Sequence, residues 1–122
     1  MGAKTVSTYS LGLVTSAGGV ASDVINYGFN ASYRRLVRVI VDYDPTGGAS
    51  SVTTITDGDG KVVFTSVAGN TDIDAYISDV VVTKAQAAVT NGQVAPLVRG
   101  PLTVAVSAGG ATKPVGVKLF LE

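Results

Sequence analysis

Tyr33-Arg34-Arg35-Leu36-Val37-Arg38-Val39-Ile40-Val41-Asp42-Tyr43 is the strongest strand in the chain. Apolar residues alternate through it. A period of two is the signature of a strand with one face buried. The alternation predicts that Val37, Val39, Val41 and Tyr43 share the core face. Arg34, Leu36, Arg38 and Ile40 then share the opposite face. Arginine among aliphatic side chains suits a protein–protein contact. These four residues are the candidate interface, with a second core layer for Leu36 and Ile40 as the alternative.

Outward from this strand the pattern repeats in shorter pieces. Thr5 to Val14 places Tyr9, Leu11 and Leu13 on one side. Ala21 to Asn30 does the same with Ile25, Tyr27 and Phe29. Val52–Thr56 and Lys61–Ser66 flank Asp57-Gly58-Asp59-Gly60, which reads as a hairpin. Ile77–Val82 reads as a strand, and Leu102–Ser107 and Val115–Leu121 as a final pair. In the last strand Val115, Val117, Leu119 and Leu121 face one way and Lys118 the other. Gly18-Gly19, Gly47-Gly48 and Gly109-Gly110 mark turns. Lys84–Val89 is the only helix-friendly stretch, and it is too short to stand as a helix alone.

These pieces predict an all-β domain: an antiparallel β-sandwich, jelly-roll-like, with about eight short strands. One domain spans residues 1–122, with residues 1–30 supplying either edge strands or an arm.

Composition narrows the chemistry. The 122 residues include no Cys, His or Trp. Histidine- or cysteine-based nucleophile systems, disulfides and His/Cys metal sites are therefore ruled out. Nine basic and nine acidic residues cancel, which argues against general nucleic-acid binding. No apolar run reaches membrane-spanning length. The expectation is a soluble chain made in the cytoplasm, with no cofactor, no enzymatic activity, no nucleic-acid partner and no membrane partner.

Residues 57–79 hold five aspartates against Lys61 alone, a net charge of −4. Loop carboxylates can hold Ca²⁺. An EF-hand loop counted from Asp57 would need Glu at its twelfth place, which is Ala68. Asp-Gly turn chemistry accounts for the motif, and solvated loop carboxylates account for the rest.

The C-terminal third carries a resemblance. Gly100-Pro101-Leu102 opens a strand, Gly109-Gly110-Ala111-Thr112-Lys113 forms a loop, and Val115 to Glu122 closes the chain on Leu119-Phe120-Leu121-Glu122. Upstream, Leu36–Tyr43, Thr53-Thr54-Ile55-Thr56, the Asp-Gly turn, Val62-Val63-Phe64-Thr65 and Asn70-Thr71-Asp72 follow in order. Over residues 35–122 this resembles small virion proteins of tailed bacteriophages, of the capsid cement or decoration type. Tyr76-Ile77-Ser78 and Pro114 depart from that pattern. The resemblance implies a structural part of the particle, located on the capsid surface. Its implied partners are the major capsid protein and further copies of itself, most often as a trimer. The alternative is a carbohydrate- or receptor-binding sandwich of a virion fiber, in which Tyr9, Tyr27, Tyr33, Tyr43 and Tyr76 would supply the ring platform.

Overall fold

The computed structural model describes residues 6–26, 33–77, 79–82 and 88–122; for 79–82 and 88–94 it describes the backbone only. Tyr27, Phe29 and the Lys84–Ala87 part of the helix-friendly stretch lie outside the described residues. The described chain is all β, without helix.

Eleven strands follow in order: β1 (Ser7–Val14), β2 (Ala21–Ile25), β3 (Tyr33–Tyr43), β4 (Val52–Thr56), β5 (Val62–Thr65), β6 (Ile73–Tyr76), β7 (Asp79–Val82), β8 (Ala88–Val94), β9 (Leu97–Arg99), β10 (Leu102–Ser107) and β11 (Pro114–Leu121). One sheet runs β1-β11-β3-β6, with β9 added beside the first residues of β3. The other runs β2-β10-β4-β5. Pairing is antiparallel throughout. The partners β1/β11, β2/β10, β3/β6 and β4/β5 nest inside one another. This is one long antiparallel ribbon rolled into two sheets, the jelly roll. Strands β7, β8 and β9 are inserted between its sixth and seventh strands, and β7 and β8 pair as a separate ribbon.

The expected strand Ile77–Val82 is present as β7, Asp79–Val82. β6 ends at Tyr76, Ile77 N–H donates to Val37 O, and β7 leaves the sheet to pair with β8. The last two strands exist as expected but do not pair with each other. β10 joins the second sheet and β11 the first, because the loop 108–113 is long enough to cross between them. β1 and β2 are edge strands of the two sheets; all eight residues of β1 are in register with β11.

The core lies between the sheets. Leu13, Val39, Val41, Tyr43, Val115, Val117, Leu119 and Leu121 meet Ile25, Ile55, Leu102, Val104 and Val106. Such side chains contribute about 1.5–3 kcal/mol each when fully buried. The Tyr43 hydroxyl is satisfied inside by Thr53 Oγ1 at 2.5 Å.

One end is tied by the three double-glycine turns. Gly48 N–H donates to Gly109 O at 3.0 Å, and Gly109 N–H donates to Gly19 O at 2.8 Å. A Cβ on Gly48 would sit 1.9 Å from Ala108 O, so only glycine permits this approach. Double glycines far apart in sequence thus close a single knot of loops.

Strand β3 departs from strict alternation. Leu121 lies opposite Leu36 and Phe120 opposite Arg38, so Val37 is an extra residue, a β-bulge. A one-residue insertion swaps the faces beyond it. Val39, Val41 and Tyr43 are core as expected, but Val37 is half-buried and Leu36 is fully buried.

Candidate interaction surface

The bulge divides the four residues proposed from the sequence. Leu36 lies in the core at 0% exposure. Arg34 closes the edge of the sandwich: its guanidinium donates to Tyr9 Oη at 3.1 Å, Ser7 Oγ at 3.1 Å and Leu121 O at 3.0 Å. Arg38 and Ile40 remain together on the outer face of the first sheet.

Cross-strand register builds that face in rows. The first row is Thr8, Phe120, Arg38 and Tyr76, from β1, β11, β3 and β6. The second is Ser10, Lys118, Ile40 and Asp74. The third is Gly12, Gly116 and Asp42. Neighbours in a row lie within side-chain contact distance.

Arg38 is fixed from three sides. Its Nε donates to Asp74 Oδ1 at 2.7 Å and its Nη2 to Asp74 Oδ2 at 2.6 Å, a two-pronged contact. Its guanidinium carbon lies 5.1 Å from the Tyr76 ring centre and 5.2 Å from that of Phe120. The hydrogen bonds from Arg38 hold the Asp74 carboxyl below the usual aspartate range. The same bonds raise Arg38 in turn. Both groups remain exposed to water, so the pair adds little to fold stability. What it does is fix the direction of the guanidinium.

The third row carries no side chain on β1 or β11, and Asp42 alone on β3. Beside it lies a trough of about 330 Å³, bordered by Ser10, Ile40, Asp42, Asp72, Gly116 and Lys118.

The acidic segment is taken up locally. Asp57 Oδ1 accepts the N–H groups of Asp59 and Lys61, both at 3.0 Å, and caps its own hairpin turn. The Asp59 carboxylate accepts the Tyr33 hydroxyl at 2.9 Å and pairs with Arg99 Nη2 at 2.6 Å. The bond to Asp59 raises the Tyr33 phenol above its ordinary value. Asp72 accepts the Tyr43 N–H at 3.0 Å. The side chain of Asp79 is not described.

The alternation in β11 already put Lys118 on the outer face, and Phe120 has the same parity. The contributions of Tyr76 and Asp74 depend on the β3–β6 register, for which the sequence carries no local signal. No protein-family model matches the chain, and no curated protein matches it at a significant level.

Proposed function

We propose that this chain is a structural protein of a tailed-phage particle: a cement or decoration protein that binds and stabilises the assembled head shell. In this reading it acts on the capsid surface, its partner is the major capsid protein, and it associates with itself, with a trimer favoured. It has no catalytic role.

The observation that carries the reading is the Phe120–Arg38–Tyr76 row on an open sheet face. Aromatic residues and arginine are the types enriched at protein interfaces. Here they are held in place before any partner arrives. The resemblance over residues 35–122 supports the particle assignment. The jelly roll supports it less, since viral shells and lectins share that architecture. A sugar platform needs free ring faces, and Arg38 lies over both rings of the row. That weighs toward a protein partner.

A protein that binds only the assembled shell stabilises it by mass action, repeated at every site. The test has two parts. Light scattering over a dilution series is expected to give a mass of three chains. Cosedimentation with head shells assembled without this protein is expected to show saturable binding, lost in Arg38→Ala. A protein that leaves such shells unbound at every concentration refutes the reading.

A further inference from the structure

Gly12 of β1 and Gly116 of β11 face each other across the outer side of the first sheet. Neither takes a left-handed φ. A Cβ at position 12 would meet no atom within 4 Å. A Cβ at position 116 would meet only Asp42 Cβ at 3.7 Å, an ordinary contact. The fold therefore has no need of glycine at either place, in contrast to Gly48. Glycine inside a strand costs about 0.5–1 kcal/mol relative to alanine. A strand glycine away from bulges and bends often marks a place where a ligand or another backbone approaches closely.

The surroundings specify that body. Ile40 gives the trough an aliphatic wall, and the bare Gly12–Gly116 backbone lies alongside. Asp42 and Asp72 stand together among its lining residues. Asp42 is exposed and makes no ion pair among the described residues. Asp72 uses Oδ1 for the Tyr43 N–H. Lys118, opposite Ser10 and Ile40 in the neighbouring row, lines the trough as well. The lining thus carries two carboxylates against one ammonium, a net charge of −1, and Leu11, Ile40, Val41 and Val117 make most of the rest apolar.

We infer that the trough receives an arginine or lysine side chain of the partner protein, its stem over Ile40 and Gly116 and its charged head at Asp42 and Asp72. This rests on the docking reading of the same sheet face and names the chemistry that face recognises. A long aliphatic stem with a charged tip matches both halves of the trough. Arginine can in addition engage a carboxylate through two donors.

The experiment uses the full-length ¹⁵N-labelled protein, with N-acetyl-arginine amide as the probe and N-acetyl-glutamine amide as the uncharged control. Saturable amide shifts are expected at Gly12, Gly116, Asp42 and Asp72 with the arginine probe only. Asp42→Asn should weaken the affinity about tenfold or more. Gly116→Val should abolish the response while melting no lower than the parent. Gly12→Val, which enters open space, carries the same test should Gly116→Val fail to fold. Shifts scattered over the surface, or an undiminished response in a folded valine variant, overturn the inference. The two readings fail separately. Shells that bind Gly116→Val as well as the parent overturn this inference and leave the docking reading intact. A chain that takes arginine in the trough but binds no shell does the reverse.

Discussion

Leu36→Ala tests the β-bulge at Val37, on which the whole outer face depends. Strict alternation puts Leu36 outside and Val37 inside; the observed register reverses their exposure. Leu36 has 0% exposure, while Val37 is half-buried. Truncating leucine to alanine removes three carbon groups, worth about 0.8 kcal/mol each in transfer, and leaves a cavity besides. A loss of about 3 kcal/mol is expected, which for a domain of this size lowers the melting temperature by about 10 °C. Val37→Ala removes a smaller, partly solvated side chain and should cost less than about 1 kcal/mol. Urea unfolding followed by far-UV circular dichroism gives both values. Equal losses, or a larger loss for Val37→Ala, would refute the bulge and return Leu36 to the surface.

Three further outcomes follow from the geometry. Gly48→Ala drives a Cβ to 1.9 Å from Ala108 O, so the knotted loops must part; a loss of at least about 2 kcal/mol is expected in urea unfolding. Asp57→Ala removes an acceptor shared by two N–H groups of the hairpin turn and should cost about 1–2 kcal/mol by the same measurement. The Asp74 carboxyl is depressed by Arg38, so the stability it lends is present above the unfolded aspartate's pKa and is lost as pH falls through the lower folded value. Its ¹³C carboxyl resonance should titrate below the ordinary aspartate range and return to it in Arg38→Gln; an ordinary titration in the parent chain would show that the pair does not form in solution.

Much of the fold was legible because alternation is a local property. β1, β4, β5, β10 and β11 fall at or near the positions their patterns mark, and the Val115–Leu121 core face is as read. The double glycines were legible as turns but not as one knot, since hydrogen bonds between residues 19, 48 and 109 depend on the complete fold. The bulge left no local trace. An apolar Val37 between Leu36 and Arg38 reads equally well in either register, and Leu121 opposite Leu36 decides it from the far end of the chain. That is why the proposed quartet kept Arg38 and Ile40 on one face and lost Leu36 and Arg34. Asp74 and Tyr76 were invisible for a related reason. Their value lies in what stands opposite them on β3, not in their own sequence neighbourhood.

Asp74 offers a way to separate rigidity from contact on the docking reading. Binding normally costs the conformational freedom of the side chains it immobilises. Arg38 has already lost much of that freedom, because two hydrogen bonds and two ring faces hold it. Asp74→Asn keeps the size of the side chain and leaves Arg38 in the sheet, but removes the charge that orients the guanidinium. The fold should scarcely notice, since exposed ion pairs contribute little to stability. Shell binding should weaken about tenfold, with the change in the dissociation rate, where most effects of interface mutations appear. Arg38→Ala removes the contact itself and should weaken binding further. Equal losses in the two variants would mean that Asp74 contacts the partner directly. An unchanged dissociation rate in Asp74→Asn would mean that the fixed direction of Arg38 has no part in docking.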